Sequence, residues 1–157
     1  MANVSELDRV AEFLAQKRIA VVGVAHAGDN TGTFIHHKFR DKGYQVFGVN
    51  TRGGMVDGAP LYPRVSDIPG GVDAVVVVVK AESALDVIKD CVAAGVRYAW
   101  MHDNTLLPGS STPQAVAYAQ AHGMTVVPNG CPMMHLDPDA AHACMHWVLH
   151  KVGRLAA

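Results

Sequence analysis

The chain alternates short runs of β-branched residues with longer stretches in which apolar positions recur every three or four residues. Ser5 is placed to cap a first helix, in which Leu7, Val10, Ala11, Phe13 and Leu14 recur on one face. Ile19 to Val24 reads as a buried strand, and a glycine-containing loop follows from Ala25 to Gly32. Phe34, Ile35, His37, Lys38 and Phe39 predict a helix that stops near Gly43. Gln45 to Val49 is a second strand. Asn50 to Pro63, with Gly53, Gly54, Gly58 and two prolines, reads as a loop, and Ser66 to Pro69 as one short turn. Ala74 to Val79 is apolar at every position, as a strand covered on both faces must be. Ala81 to Ala94 is a helix ended by Gly95, and Arg97 to Met101 a fourth strand. Thr112-Pro113 opens a further helix with proline at the tolerated first position, ended by Gly123. Met124 to Val127 is a fifth strand, and Asp139 to Val152 reads as a closing helix.

Strands alternating with helices of this length imply an α/β fold: a Rossmann-like, doubly wound, mostly parallel five-stranded sheet with helices on both faces. At 157 residues the chain has the length of one domain and can bury a full core. Half of it is apolar and 17% is charged, which excludes intrinsic disorder. Thirteen Lys and Arg against fourteen Asp and Glu give a net charge of −1, so no basic excess drives sequence-independent nucleic-acid binding. The longest apolar run, Ala74 to Val79, is far short of a membrane span. Met1 to Arg9 is polar, and no secretory leader is expected. Three cysteines without a CxxC pair suggest reduced thiols and a cytoplasmic protein.

In an open parallel sheet, ligands bind beyond the carboxyl ends of the strands, where the strand order switches. The candidate segments are therefore Ala25 to Gly32, Asn50 to Arg52, Lys80-Ala81, His102 to Asn104 and Asn129 to Pro132. Gly23, Gly28 and Gly32 precede or open a helix, where backbone N–H groups and the helix dipole suit a phosphate. Their spacing is not GxGxxG, so an ordinary strand-to-helix turn is the alternative. After the second strand stands Asn50-Thr51-Arg52, where NAD enzymes place a carboxylate for the ribose diol. An arginine there attracts a phosphorylated ribose, as in coenzyme A or NADP; a solvated loop charge is the other reading. Lys80 ends the most buried strand, and either a ligand phosphate or Glu82 and solvent would serve it.

At these residues the chain resembles the family of CoA-binding domains, small proteins similar to the CoA-binding domain of the succinyl-CoA synthetase α subunit. The resemblance is carried by Ile19-Ala20-Val21-Val22-Gly23-Val24, by Gly43 to Asn50, and by Tyr62-Pro63-Arg64-Val65-Ser66-Asp67-Ile68-Pro69. It continues through Val72 to Val79, Ala94 to Met101 and Gly130-Cys131-Pro132-Met133-Met134. It implies a single CoA-binding domain over 1–157, with an N-terminal helix in 1–17, the sheet core in 18–128, and a C-terminal turn and helix in 129–157. It also implies coenzyme A or an acyl-CoA as ligand. Gly23, Val24, Ala25, His26, Thr31 and Gly32 fall on or beside the first nucleotide loop. Asn50, Thr51 and Arg52 fall where the family usually has Asn-Pro-Lys, Arg52 keeping the cation. Lys80, His102, Cys131 and Pro132 fall at the later strand ends. Thr51 replaces the usual Pro, and Ala25 a common Ser.

The synthetase's phosphorylatable histidine and ATP-grasp partner lie outside the domain this chain resembles, and no Ser-His-Asp order, P-loop or HExxH motif is present. A non-catalytic CoA-binding protein, regulatory or a carrier, is therefore the reading taken. An NADP-dependent reductase, which would also use Arg52, and a docking subunit of an ATP-grasp or acyl-CoA enzyme are the alternatives. His142, His146 and His150 would line one helical face, either as half of a metal site with Cys131, His135 and Cys144 or as a polar face or subunit contact; no closed ligand set follows from spacing, and no metal is expected. His36 and His37 are expected to face solvent. Cys131 is either a thiol activated by nearby cations or a helix N-terminus, or a buried structural one. Cys91 and Cys144 are expected in the core. Met145, Trp147 and Val148 suggest an apolar face on the last helix, able to pack on the sheet or to form a homodimer contact.

Overall fold

The computed structural model describes residues 5–103 and 109–136. The elements are α1 (Glu6–Leu14), β1 (Arg18–Val22), α2 (Thr31–Asp41), β2 (Gln45–Val49), β3 (Met55–Val56), β4 (Ala59–Pro60), β5 (Ala74–Val77), α3 (Ala81–Ala93), β6 (Tyr98–Met101), α4 (Pro113–Ala121) and β7 (Thr125–Val127). Two short 3-10 turns, Val65–Asp67 and Pro132–Met134, complete the order. The main sheet runs β2-β1-β5-β6-β7, and every neighbouring pair in it is parallel. The chain moves outward from β1 to β2, then returns to the other side of β1 and continues outward through β5, β6 and β7. With right-handed crossovers, that reversal puts α2 on one face and α3 and α4 on the other. The switch point lies between the carboxyl ends of β1 and β5.

Alternation along the strands sorts the core into two layers. Ile19, Val21, Ala74, Val76 and Trp100 pack with Val10 and Phe13 of α1 and Ile35 and Phe39 of α2. Ala20, Val22, Val75, Val77, Ala99 and Met101 pack with Ala84, Ile88 and Cys91 of α3 and Ala115 and Ala119 of α4. Trp100 and Phe13 meet edge to face at 5.4 Å and anchor the first layer. Local signals agree with these layers. Ser5 and Asp8 form a reciprocal capping box at α1. Asn30 and Thr112 cap α2 and α4 through their side chains. Gly43, Gly95 and Gly123 lie just past helix ends with φ of +87, +76 and +78.

The strand periodicity extends past the hydrogen-bonded ladder at four ends: β1 stops at Val22, β5 stops at Val77, β6 begins at Tyr98 and β7 begins at Thr125. Three expectations are corrected. The segment 50–63 is not loop throughout, because β3 and β4 pair antiparallel around Asp57-Gly58, where Asp57 takes φ 49. Leu7 and Ala11 share the α1 face in sequence but are exposed; only Val10 and Phe13 are buried there. His36 does not face solvent. It is 4% exposed and lies beside Gly48 of β2, while His37 is partly buried with its Nε2 2.7 Å from Asp57 Oδ2. The closing helix expected over 139–152, with His142, Cys144, Met145, His146, Trp147, Val148 and His150, lies outside the described residues.

The chain returning from β4 covers part of the outer edge of β2. Tyr62 N–H donates to Gly48 O at 3.0 Å, Asn50 N–H donates to Tyr62 O at 2.9 Å, and Val49 and Tyr62 form a parallel bridge. Gly48 leaves room for this return, since a Cβ there would stand 2.4 Å from Leu61 Cδ2. Arg40 pairs with Asp57, which holds the hairpin tip to α2 and keeps the Asp57 carboxyl below its ordinary range.

Burial, followed by the His37 and Arg40 charges, holds the His36 imidazole below its ordinary value, against an opposing pull from Asp57. The unfolded chain therefore binds a proton on this residue at a higher pH than the folded chain does. Stability from neutral His36 is complete above the ordinary value of 6.5 and is lost as pH falls below it toward the folded value. His102, partly buried just past the end of β6, shifts in the same direction, again through burial. The melting temperature should drop between about pH 7.5 and about pH 5.5, and His36→Gln should flatten that slope. An identical slope in the variant would remove His36 from this account.

Candidate functional site

The first crossover is built by backbone contact. Gly23 takes φ +101, and a Cβ there would stand 1.9 Å from Val78 O. A Cβ on Gly32, in the first turn of α2, would stand 2.3 Å from Gly23 O. Both positions require glycine for close approach, one to the strand across the switch point and one to the helix. Asn30 Nδ2 donates to Gly23 O at 2.9 Å while its Oδ1 accepts from Thr33 N–H at 2.8 Å, so one side chain fixes both turn and helix start. Thr33 Oγ1 in turn accepts from Ala25 N–H at 3.2 Å.

The second strand end is tied to the first. Asn50 Nδ2 donates to Val24 O at 2.7 Å, and Asn50 Oδ1 accepts from Arg52 N–H at 2.9 Å. The Asn50 side chain is thus spent on joining two loops and setting the turn that carries Arg52, which is exposed. Beside it a cleft of about 370 Å³ opens between the ends of β1 and β2 and the flank of α3. Val22, Gly23, Val49, Asn50 and Thr51 form one wall, Pro63 to Val65 the second, and Val79, Ser83, Asp86, Val87 and Asp90 the third. Asp90 accepts from Val65 N–H at 2.8 Å and from Ser66 Oγ at 2.6 Å, and so fastens the second wall to the third. On the far side of the first loop a second hollow of about 240 Å³ is lined by residues that include Ala25, His26, Thr33, His37 and Asp57.

Of the residues picked out from sequence, Gly23, Asn50 and Thr51 line the main cleft, with Arg52 next along the chain. Ala25 and His26 line the second hollow. The Val24 side chain is fully buried, leaving only its backbone for a ligand. Thr31 is exposed at the start of α2, while Gly32 is packed on Gly23. Lys80 is exposed at the N-terminus of α3 and lines neither hollow. His102 and Cys131 belong to neighbouring segments at the ends of β6 and β7: Asp103 N–H donates to Gly130 O at 3.4 Å, and Trp100 Nε1 donates to Asn129 O at 3.1 Å. Pro132 is buried at the start of its 3-10 turn, and Asn104 lies outside the described residues. Of the two readings of Cys131, burial favours the structural thiol, since it pushes the group up to about 11 despite a backbone N–H from Met133. Cys91 is fully buried, and its thiol is raised by burial too. Among the described residues no group of three or more His, Cys, Asp or Glu could hold a metal ion, and no helix is long and apolar enough to cross a membrane.

Pro63, Arg64, Val65, Ser83, Asp86, Val87 and Asp90 line the cleft without having been picked out as site residues. The signal for the last four was their spacing of i, i+3, i+4 and i+7 on a helix that follows the central strand.

The chain is similar to several known proteins. The family model described as "CoA binding domain" matches residues 17–137. The chain is 26% identical over 150 residues to the ADP-forming acetate–CoA ligase I of Archaeoglobus fulgidus, covering 89% of this chain but 21% of the ligase. A hypothetical protein from Pyrococcus horikoshii superposes with a TM-score of 0.73 at 25% identity, over 83% of this chain and 89% of its own. The dinucleotide-forming acetyl-coenzyme A synthetase 1 of Ca. Korarchaeum cryptofilum gives 0.59 at 30% identity, over 70% of this chain and 25% of the synthetase. The chain thus spans about a fifth of the ligase and a quarter of the synthetase.

Gly23→Ala should cost roughly 3 kcal/mol or more, from strain at positive φ and collision with Val78. Gly28→Ala, with no heavy atom within 4 Å of the added Cβ, should cost only the backbone strain, about 1 kcal/mol; urea unfolding of both separates the two terms. In a Cys144→Ser background, iodoacetamide should label Cys131 far more slowly than free cysteine near neutral pH, and faster as pH nears about 11.

Proposed function

The chain belongs to the CoA-binding domain family, and from that premise we propose that it binds coenzyme A or an acyl-CoA and holds it, as a carrier or regulator, without performing chemistry on it. The observation that supports this most is a combination at the switch point. A turn stripped of side chains at Gly23, a cleft with largely apolar walls, and an exposed guanidinium at Arg52 adjoin one another. The adenine and ribose would occupy the cleft. The pyrophosphate would meet the amides of the first loop, and Arg52 the ribose phosphate. The pantetheine would run over the strand ends toward Lys80, His102 and Cys131. A cytoplasmic location and a homodimer belong to the same reading.

A second reading is favoured by the lengths of the relatives. Since the chain corresponds to about a fifth of one ligase and a quarter of one synthetase, it could serve as the CoA-holding subunit that docks on a separate ATP-grasp or acyl-CoA enzyme. Native mass spectrometry of freshly purified protein separates the two, because it reports subunit number, any retained nucleotide and any partner.

Calorimetric titration tests the ligand. Wild-type protein should prefer coenzyme A over dephospho-CoA by roughly tenfold or more, one charge-assisted contact's worth. Arg52→Glu should weaken coenzyme A most and bring the two ligands close together. Absence of coenzyme A binding up to about millimolar, a bare 4 kcal/mol of affinity, would sink the reading; tight NADP binding in its place would favour the reductase.

A further inference from the structure

The cleft is electrically two-sided. Arg64 forms part of the wall nearest the β2 end, and Arg52 follows Thr51 of that end. The α3 wall carries two carboxylates, Asp86 and Asp90. Asp90 is committed to Val65 N–H, Ser66 N–H and Ser66 Oγ at 2.8, 3.3 and 2.6 Å. Arg64 is paired with Asp67 at 3.2 Å. Asp86 has no such duty among the described residues, and it faces the same apolar slot as Val87 and Val22.

We infer that Asp86 is the specificity-determining residue of the cleft, reading the 6-amino group of a purine base. The inference rests on the CoA-binding reading above and adds the choice of base to it. An ionised carboxylate accepts hydrogen bonds and donates none. It repels phosphate, so the anionic part of a nucleotide lies toward Arg52 and Arg64, and the base extends toward α3. At the edge that meets Asp86, adenine presents an amino donor. A 6-oxo purine presents a carbonyl oxygen at that position, where acceptor faces acceptor, and its nearest donor, N1–H, lies one ring position away. Ser83, one turn earlier, both donates and accepts, so it does not discriminate between the two bases.

The test is calorimetric titration with coenzyme A and with its 6-oxo (hypoxanthine) analogue. Wild-type protein should favour coenzyme A by roughly tenfold to a hundredfold, the difference made by a hydrogen bond to a charged group. Asp86→Ala should bring the ratio close to one. Asp86→Asn, which adds an N–H donor at the same size, should shift preference toward the 6-oxo compound. Asp86 is exposed on a helix surface, and unchanged circular dichroism confirms that both variants fold. Equal affinities in wild type, or a ratio kept in Asp86→Ala, overturn this inference alone. No heat with either compound overturns the CoA reading and this inference with it.

Discussion

The site depends on one bare patch of backbone. At Gly23 the ends of β1, β2 and β5 and the start of α2 converge, with the Asn30 side chain joining two of them. The Gly23 N–H donates to Val49 O of β2, its α-carbon lies against Val78 O, its carbonyl receives the Asn30 amide, and Gly32 of α2 rests on that carbonyl. Three of these contacts are main chain to main chain and the Asn30 side-chain amide supplies the fourth, so close packing sets the turn. Sequence allows this with two glycines, local structure with a positive φ, and packing with the reversal of strand order. The turn is therefore set before any ligand arrives, with the Gly23 and Ala25 amides engaged by Val49 O and Thr33 Oγ1.

Around that patch the polar side chains divide into those that build the site and those left to act. Asn30, Thr33, Asn50 and Asp90 spend their hydrogen bonds inside the protein. They join loop to helix, loop to loop and wall to wall. A buried or half-buried amide used this way costs little, because both its ends are satisfied. Arg52 and Asp86 remain exposed at different margins of the cleft. With a net charge of only −1 over the chain, the proposed binding relies on the placement of these few groups and not on an overall field.

Much of the scaffold was legible because its physics is local. The unbroken apolar run at Ala74 to Val77 and the glycines after α2, α3 and α4 each carry their meaning in a few adjacent residues. The parallel, doubly wound sheet and the strand-end segments followed from chirality and connection rules, while the strand order came only with the structure. What escaped depends on contacts distant in sequence. The apolar face of α1 is wider in sequence than in structure, since what covers it reaches Val10 and Phe13 but not Leu7. His36 is buried by its neighbour β2, which no helical periodicity of α2 foretells. The hairpin at Asp57-Gly58 is two residues per strand, too short to give an alternating pattern. The α3 wall of the cleft becomes a wall only once Pro63 to Val65 is pinned against it by Asp90, 25 residues away in sequence.

The chain folded back along β2 has a further effect. An open parallel sheet ends in strands whose outward amides and carbonyls could recruit another chain. Here Tyr62 already takes the Gly48 carbonyl and offers its own to Asn50, so the carboxyl half of that border is sealed from within. Growth of the sheet by strand addition is blocked beside the mouth of the cleft, and two copies meeting there would have to do so through side chains, leaving that mouth free of intermolecular β-pairing.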